Sequence, residues 1–316
     1  MSRRRLRILT WHVHGNYLYY LTQVPHDFYL ATDAAKSMHH SGRSGTLPWG
    51  DNVHEAPVET LREMSFDVVL FQSRFEWEGA RHSELSEAQR RLPCIVIEHD
   101  PPQEHPTDTR HWVADPNVLL VHVTPFNALM WDSGPTPTRV VEHGILPLQQ
   151  ARYSGHIARG VVVVNNLQSR GRRLGLDVYR DVAARVPLSL YGMGSLEVGG
   201  EGEVVNDRLP GVMAAHRFFF NPIRWTSLGL AIIEAMMVGL PIVGLATTEL
   251  VAVIRDGENG FIDTRLDRLV ESMQHLLADP GLARELGSAA MRTAQERFGI
   301  GRFVADWLDA IDSVAG

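Results

Sequence analysis

Short apolar runs rich in β-branched residues alternate along this chain with longer stretches whose apolar positions recur every three or four residues. The runs predict strands over residues 6–13, 67–72, 94–98, 118–123 and 139–142, and again over 160–164, 188–191, 218–221 and 241–244. A helix is expected over 17–23. Leu266, Leu269, Val270, Met273, Leu276 and Leu277 form a helical stripe that Pro280 ends, and two further helices are expected over 281–298 and 302–314. Strands alternating with helices predict α/β architecture with parallel sheets. The Gly/Ser/His-rich stretch 39–52 reads as a mobile loop. Periodicity is lost over 144–155, which contains Pro147, Gln149 and Gln150, so the interdomain linker is placed there. Two doubly wound domains, 1–150 and 151–316, are therefore expected, the second with a helical tail. Ligands of such sheets bind beyond the carboxyl ends of the strands.

Composition narrows the function classes. At 44% hydrophobic and 21% charged residues, the 316-residue chain has ordinary globular usage, and its net charge of −7 argues against a broad nucleic-acid surface. Lys36 is the single lysine, so side-chain anion binding falls to arginine. The lone Cys94 excludes an internal disulfide and a four-thiolate zinc site. Arg3, Arg4, Arg5 and Arg7 precede an apolar stretch broken at once by His12 and His14, unlike a signal-peptide core. The longest apolar region, 230–246, carries Glu234 and a Gly239-Leu240-Pro241 break, so it reads as a buried helix and strand rather than a membrane span. A cytoplasmic location is expected, with peripheral membrane contact left open.

The segment FFFNPIRWTSLGLAIIEAMMVGLPIVG carries the most chemistry. Thr226 and Ser227 are N-cap candidates for a helix that is apolar on nearly every face and must be buried. Its one ionisable residue, Glu234, is costly there unless it is paired or faces a ligand, while the helix start offers free amides to an anion. A nucleotide supplies both a phosphate and hydroxyls. Pairing of Glu234 with an arginine such as Arg255 is the competing explanation.

These residues resemble the nucleotide-sugar signature of retaining GT-B glycosyltransferases, family 4, glycosyl transferases group 1. Glu234, within Glu-Ala-Met, matches the family's second glutamate, which the resemblance assigns to the ribose hydroxyls. Gly229 matches the loop glycine whose neighbouring amides face donor phosphate or sugar, which brings in Thr226, Ser227 and Leu228 as donor-binding positions. Thr226 stands where the family has its first glutamate. VVVVNNLQSRGRRLGLDVY is similar to the family's strand, phosphate loop and Lys-Gly helix start, with Arg170-Gly171 replacing Lys-Gly. Arg170 and Arg173, with Arg172 between them, are thus candidates to clasp a diphosphate. LSLYGMGSL resembles the strand ending in Gly-x-Gly, placing Gly192 and Gly194 near the base.

In the first domain the resemblance is thinner. His14, Gly15 and Asn16 follow the first strand; Gly15 and Asn16 are assigned to the donor and His14 to the acceptor. His99 ends another strand, where many family members direct a histidine at the donor sugar, and it joins Arg170 and Arg173 as a catalytic candidate. His143 and Gly144 fall at the hinge. A zinc site from His12 and His14, sharing one strand face, with His99 or Asp100 lacks any established ligand spacing, so no metal and no cofactor is expected beyond the sugar nucleotide. The resemblance implies the GT-B fold, two Rossmann-like domains facing a cleft, and transfer of a sugar from a nucleoside-diphosphate donor to a hydroxyl of a glycan, lipid or small-molecule acceptor, with retention. A catalytically degenerate nucleotide-sugar-binding protein and a GT-B sugar-nucleotide epimerase are the alternatives. Residues 31–75 are expected to help select the acceptor.

Overall fold

A computed structural model describes residues 4–148 and 150–316, so Arg3 and Gln149 of the readings above lie outside the described residues. The chain forms two compact units, one of residues up to Gly144 together with Ile300–Gly316, the other Ile145–Gly299.

The first unit contains β1 (Arg7–Thr10), β2 (Asp27–Thr32), β3 (Val53–Pro57), β4 (Val68–Phe71), β5 (Cys94–Glu98), β6 (Val118–His122) and β7 (Thr138–Val140), with helices α1 (Gly15–Leu21), α2 (Arg81–Ser83) and α3 (Pro125–Met130). All its strand pairs are parallel, in the order β3-β2-β1-β4-β5-β6-β7. Every residue of β4, β5 and β6 is buried, as expected where helices cover both faces of a parallel sheet. Strand order reverses between β1 and β4, and the crevice at such a reversal is the usual ligand position.

The second unit carries β8 (Ile157–Val163), α4 (Leu167–Arg170), α5 (Leu176–Ala183), β9 (Leu188–Tyr191), α6 (Leu209–Ala215), β10 (His216–Asn221), α7 (Leu230–Val238), β11 (Ile242–Leu245), α8 (Leu250–Val253), β12 (Gly260–Asp263), α9 (Leu266–Ala278) and α10 (Pro280–Phe298). Its five parallel strands run β12-β11-β10-β8-β9, reversing between β8 and β10. Phe218, Phe220, Leu188 and Leu190 from the strands pack with Met273 and Leu276 of α9. Helix α7 is held at its end by backbone contact: a Cβ on Gly287 of α10 would lie 1.9 Å from the Gly239 carbonyl oxygen.

The last helix, α11 (Ile300–Ala315), falls within the 151–316 boundaries expected for the second domain but packs with the first unit, the return of the tail that the GT-B resemblance implies. Its apolar face explains this. Phe303 and Trp307 are fully buried, Phe303 meets the Tyr17 ring edge-on at 5.8 Å, and Arg302 donates to the carbonyls of Glu142 and His143. Gly144 is required at the crossing, because a Cβ there would sit 2.1 Å from that of Phe303. The first unit therefore closes only when the chain returns to it.

The strands β2, β3 and β12 were not anticipated. The edge strand β3, VHEAP, is only partly buried and ends in proline, and so lacks an apolar run. Stretch 39–52 contains no named element, although Ser41 bridges to Thr32.

Removing the Phe303 ring should cost about 3–5 kcal/mol. In Phe303→Ala, hydrogen exchange should accelerate in residues 4–144 and leave the β8–β11 amides protected. Equal loss across both units would contradict the assignment of α11 to the first.

Candidate functional site

The reversal of strand order in the second unit brings together the loop after β8 and the loop after β10. The Arg173 carbonyl accepts backbone hydrogen bonds from Arg224 at 3.1 Å and Trp225 at 3.2 Å, and a Cβ on Gly175 would lie 1.9 Å from the Pro222 carbonyl oxygen. Arg224 adds both guanidinium nitrogens to Asp177, at 2.5 and 2.8 Å. These bonds hold the Asp177 carboxyl below its ordinary value. Arg224 and Asp177 were missed in the sequence, although each lies in a quoted segment, because they meet only where the loops after β8 and β10 come together.

The arginine cluster is divided by this packing. Arg172 is ion-paired to Asp177 at 2.5 Å, so it is a brace for the loop. Arg170, the last residue of α4, is exposed, and Arg173 is partly buried next to the tie to Arg224.

Helix α7 follows the loop after β10. Its N-cap is Gly229, which has no side chain to cap with, and not Thr226 or Ser227 as the sequence predicted. The two hydroxyl residues precede the helix, Thr226 partly exposed, Ser227 and Leu228 buried. The Ile232 amide bonds the Gly229 carbonyl at 3.1 Å, and no side chain caps the amides before it. A Cβ added at Gly229 would meet no protein atom within 4 Å. Glu234 is buried within the first two turns at 5% exposure. Arg255 is instead paired with Glu258 at 3.5 Å and is 78% exposed, which removes the partner proposed from sequence.

Gly192 ends β9 with φ +131°, and a Cβ there would sit 2.5 Å from the Val164 carbonyl oxygen. The glycine lets β9 close against the end of β8, and Asn165 secures the turn by accepting from the Met193 amide at 2.9 Å. Asn259, in the Asn-Gly turn, has a structural role, bonding Val253, Arg255 and Thr293.

In the first unit, a pocket of about 480 Å³ opens beyond β1, β4 and β5. His14 and His99 both line it, with ring centroids 4.3 Å apart. His99 also meets Tyr17 edge-on at 4.7 Å. Burial, and then the proximity of His14 and His143, push His99 well below the ordinary histidine value, so its ring is neutral near pH 7. Its Nε2 atom is buried and makes no hydrogen bond among the described residues. Gly15 is close to His12, since a Cβ would lie 2.9 Å from Nε2, and Asn16 is the second residue of α1.

His12 and His14 do not share a face. Strand β1 ends at Thr10, so its alternation stops before either histidine. His12 turns to the Gly42 carbonyl and Ser44, whereas His14 turns to His99. Among the described residues, no group of three or more His, Cys, Asp and Glu is placed to hold a metal ion.

Glu76 was also not anticipated. It is fully buried at the start of a π-turn (Glu76–Ala80) after β4 and accepts from the Gln72 and Ser73 amides at 2.7 and 3.1 Å, fixing two residues of the pocket wall. Desolvation raises its carboxyl to about 7 despite these bonds, with Glu84 adding to the rise.

Residues 179–279 match the family described as glycosyl transferases group 1. An 88-residue stretch is 33% identical to the trehalose synthase of Pyrococcus horikoshii, covering 28% of this chain and 21% of that protein. Sucrose-phosphate synthase from Thermosynechococcus elongatus superposes with a TM-score of 0.68 at 16% identity, over 98% of this chain and 99% of that one. HepE of Anabaena, solved in complex with UDP, gives a TM-score of 0.70 at 15% identity, over 98% and 100%. The chain has the GT-B fold, with two parallel-sheet α/β units. No helix among the described residues is long and apolar enough to cross a membrane.

Two glycines separate architecture from ligand approach. Gly192→Ala should lower thermal stability, because its φ and the Val164 carbonyl both oppose a side chain. Gly229→Ala should melt within a few degrees of the parent, as substitutions without lost contacts change stability by only about 0.5 kcal/mol, while weakening nucleotide-diphosphate binding in a calorimetric titration. A Gly229→Ala protein that binds normally would remove α7 from the site.

Glu76 sets a pH dependence. Its folded value near 7 exceeds the ordinary 4.5, so between these values the folded state holds the extra proton. This contribution is greatest below about 4.5, falls as pH rises, and levels off above about 7, spanning at most roughly 3 kcal/mol. Urea unfolding of Glu76→Gln across that range should show a flatter profile than the parent.

Proposed function

We propose that this protein is a glycosyltransferase that moves a sugar from a nucleoside-diphosphate donor to an acceptor hydroxyl, with retention at the anomeric carbon. The observation that carries the reading is the junction in the second unit, where a loop bearing Arg170 and Arg173 is tied to the segment that leads into a glycine-started helix with no side-chain cap, which buries Glu234. Helix-start amides and guanidinium groups suit a diphosphate, and a carboxylate just over one turn into the helix suits vicinal hydroxyls. The matched family and the UDP complex of HepE support the same assignment.

In this reading the C1–O bond to the diphosphate breaks and the leaving group takes the electron pair. The acceptor oxygen bonds to C1, and its proton passes to a diphosphate oxygen. Arg170, Arg173 and the amides at Gly229 and Leu230 stabilise the growing negative charge, the kind of preorganised electrostatic aid that dominates many enzymes. Glu234 holds the ribose hydroxyls. Gly192 lies near the base, and Thr226, Ser227 and Leu228 shape the loop around the diphosphate and sugar. From the first unit, Gly15, Asn16 and the neutral His99 contact the donor sugar, and His14 the acceptor. His99 contributes as a hydrogen-bonding group, since a ring held neutral by burial adds no charge.

A panel of UDP-, ADP- and GDP-sugars, followed by nucleotide-diphosphate release, tests the assignment. Glu234→Ala should weaken donor affinity about 10- to 100-fold, the range for losing hydrogen bonds to a charged group. Arg170→Ala should lower turnover more than donor affinity. Unchanged affinity in both variants would refute the site. Binding without release would favour the degenerate reading that Thr226 raises, and altered sugar without an acceptor would indicate an epimerase. NMR of the product anomer tests retention.

A further inference from the structure

The walls of the first unit's pocket are unequal in chemistry. One is aromatic: Trp112 and Trp131 both line it, and both are half-buried. Between them is the fully buried ring of His111, 4.5 Å from Trp112 and 4.9 Å from Trp131. His111 Nδ1 accepts from the Val113 amide at 3.0 Å, so its proton is on Nε2, which donates to Glu98 Oε2 at 3.1 Å. The other Glu98 oxygen accepts from the Asp100 amide at 2.9 Å, and the Trp131 indole donates to the Asp100 carbonyl at 2.8 Å. Glu98 is therefore consumed in holding two indoles and a backbone segment in place.

The other side is polar and open. The carboxylates of Asp100 and Glu104 and the guanidinium of Arg110 line the pocket, and none makes an ion pair or side-chain hydrogen bond among the described residues. The pocket's remaining arginine, Arg74, is already paired with Glu78 at 2.8 Å. Two free carboxylates against one free guanidinium leave the pocket negative, which opposes a phosphate or carboxylate on the ligand. Planar carboxylates accept from pairs of adjacent hydroxyls, and a rigid indole offers apolar area at low entropic cost to the C–H face of a pyranose. The volume is within the ordinary range for small-ligand sites, about 300–1,000 Å³.

We propose that this pocket receives the acceptor, and that the acceptor is an uncharged saccharide, stacked on the Trp112–Trp131 wall with its hydroxyls bonded by Asp100. This rests on the glycosyltransferase reading for the word acceptor; the sugar site itself stands on the pocket alone. Trp112, Trp131 and Asp100 are then specificity-determining residues, and Glu98 and His111 are positioning residues that act through the indoles.

The test uses the full chain, ¹⁵N-labelled, titrated with methyl glucosides and maltose, with glucose 6-phosphate, and with undecaprenyl phosphate in micelles. The uncharged sugars should shift the Trp112 and Trp131 indole resonances, with glucose 6-phosphate binding at least tenfold more weakly. Trp112→Ala should weaken sugar binding at least tenfold and Asp100→Asn severalfold, and both should leave UDP binding unchanged. Should Trp112→Ala fail to fold, Asp100→Asn carries the test, since its carboxylate supports no other group. Binding of the phosphorylated ligands alone, sugar binding indifferent to Asp100→Asn, or no sugar binding by a protein that binds UDP would each overturn the proposal. Sugar binding at the indoles without any nucleotide binding would sustain the site and refute the transferase reading instead.

Discussion

The two backbone hydrogen bonds that the Arg173 carbonyl accepts from Arg224 and Trp225 fix the spacing on which the second unit's site depends. They join the loop leaving β8 to the loop leaving β10, across the point where strand order reverses. Gly175 allows that approach, because its Cβ would collide with the Pro222 carbonyl. The Arg224–Asp177 pair reinforces the join from the side chains. The proposed site is built on this join: Arg170 precedes the tied loop, and the segment from Arg224 leads into α7, which buries Glu234.

Much of this was legible in the sequence for identifiable reasons. Helix α7 is apolar all round, so Glu234 stood out as an expensive residue that required an explanation. The strands β4, β5 and β6 are continuous apolar runs because both faces are covered, and such runs are hard to misread. The cap was misread because Thr226 and Ser227 are good N-cap residues by local preference, whereas the helix starts at Gly229 with no side-chain cap. A break of local propensity at that point is consistent with the proposed ligand site, because functional positions commonly break local rules.

Other features depend on long-range contacts that no pattern announces. The pairing of Arg172, between Arg170 and Arg173, as a brace for the loop required Asp177. The return of α11 to the first unit required Gly144 to be small where Phe303 crosses. The Glu98–His111 pair that aligns Trp112 and Trp131 joins a strand end to a loop thirteen residues on. The sequence assigns a part in acceptor selection to 31–75, and the proposed saccharide pocket adds residues between Asp100 and Trp131 that no motif marks. Histidine spacing misled because the strand on which His12 and His14 seemed to alternate had already ended.

The central claim is that a nucleoside diphosphate binds where the β8 and β10 loops meet. An amide-resolved NMR titration of the ¹⁵N-labelled full chain with UDP, ADP and GDP tests it most directly. The account predicts that one of these nucleotides shifts the amides of Gly171, Arg173, Gly229 and Leu230 together, at a single saturating concentration dependence. Shifts confined to the first unit, or no response at those four amides to any of the three, would contradict it.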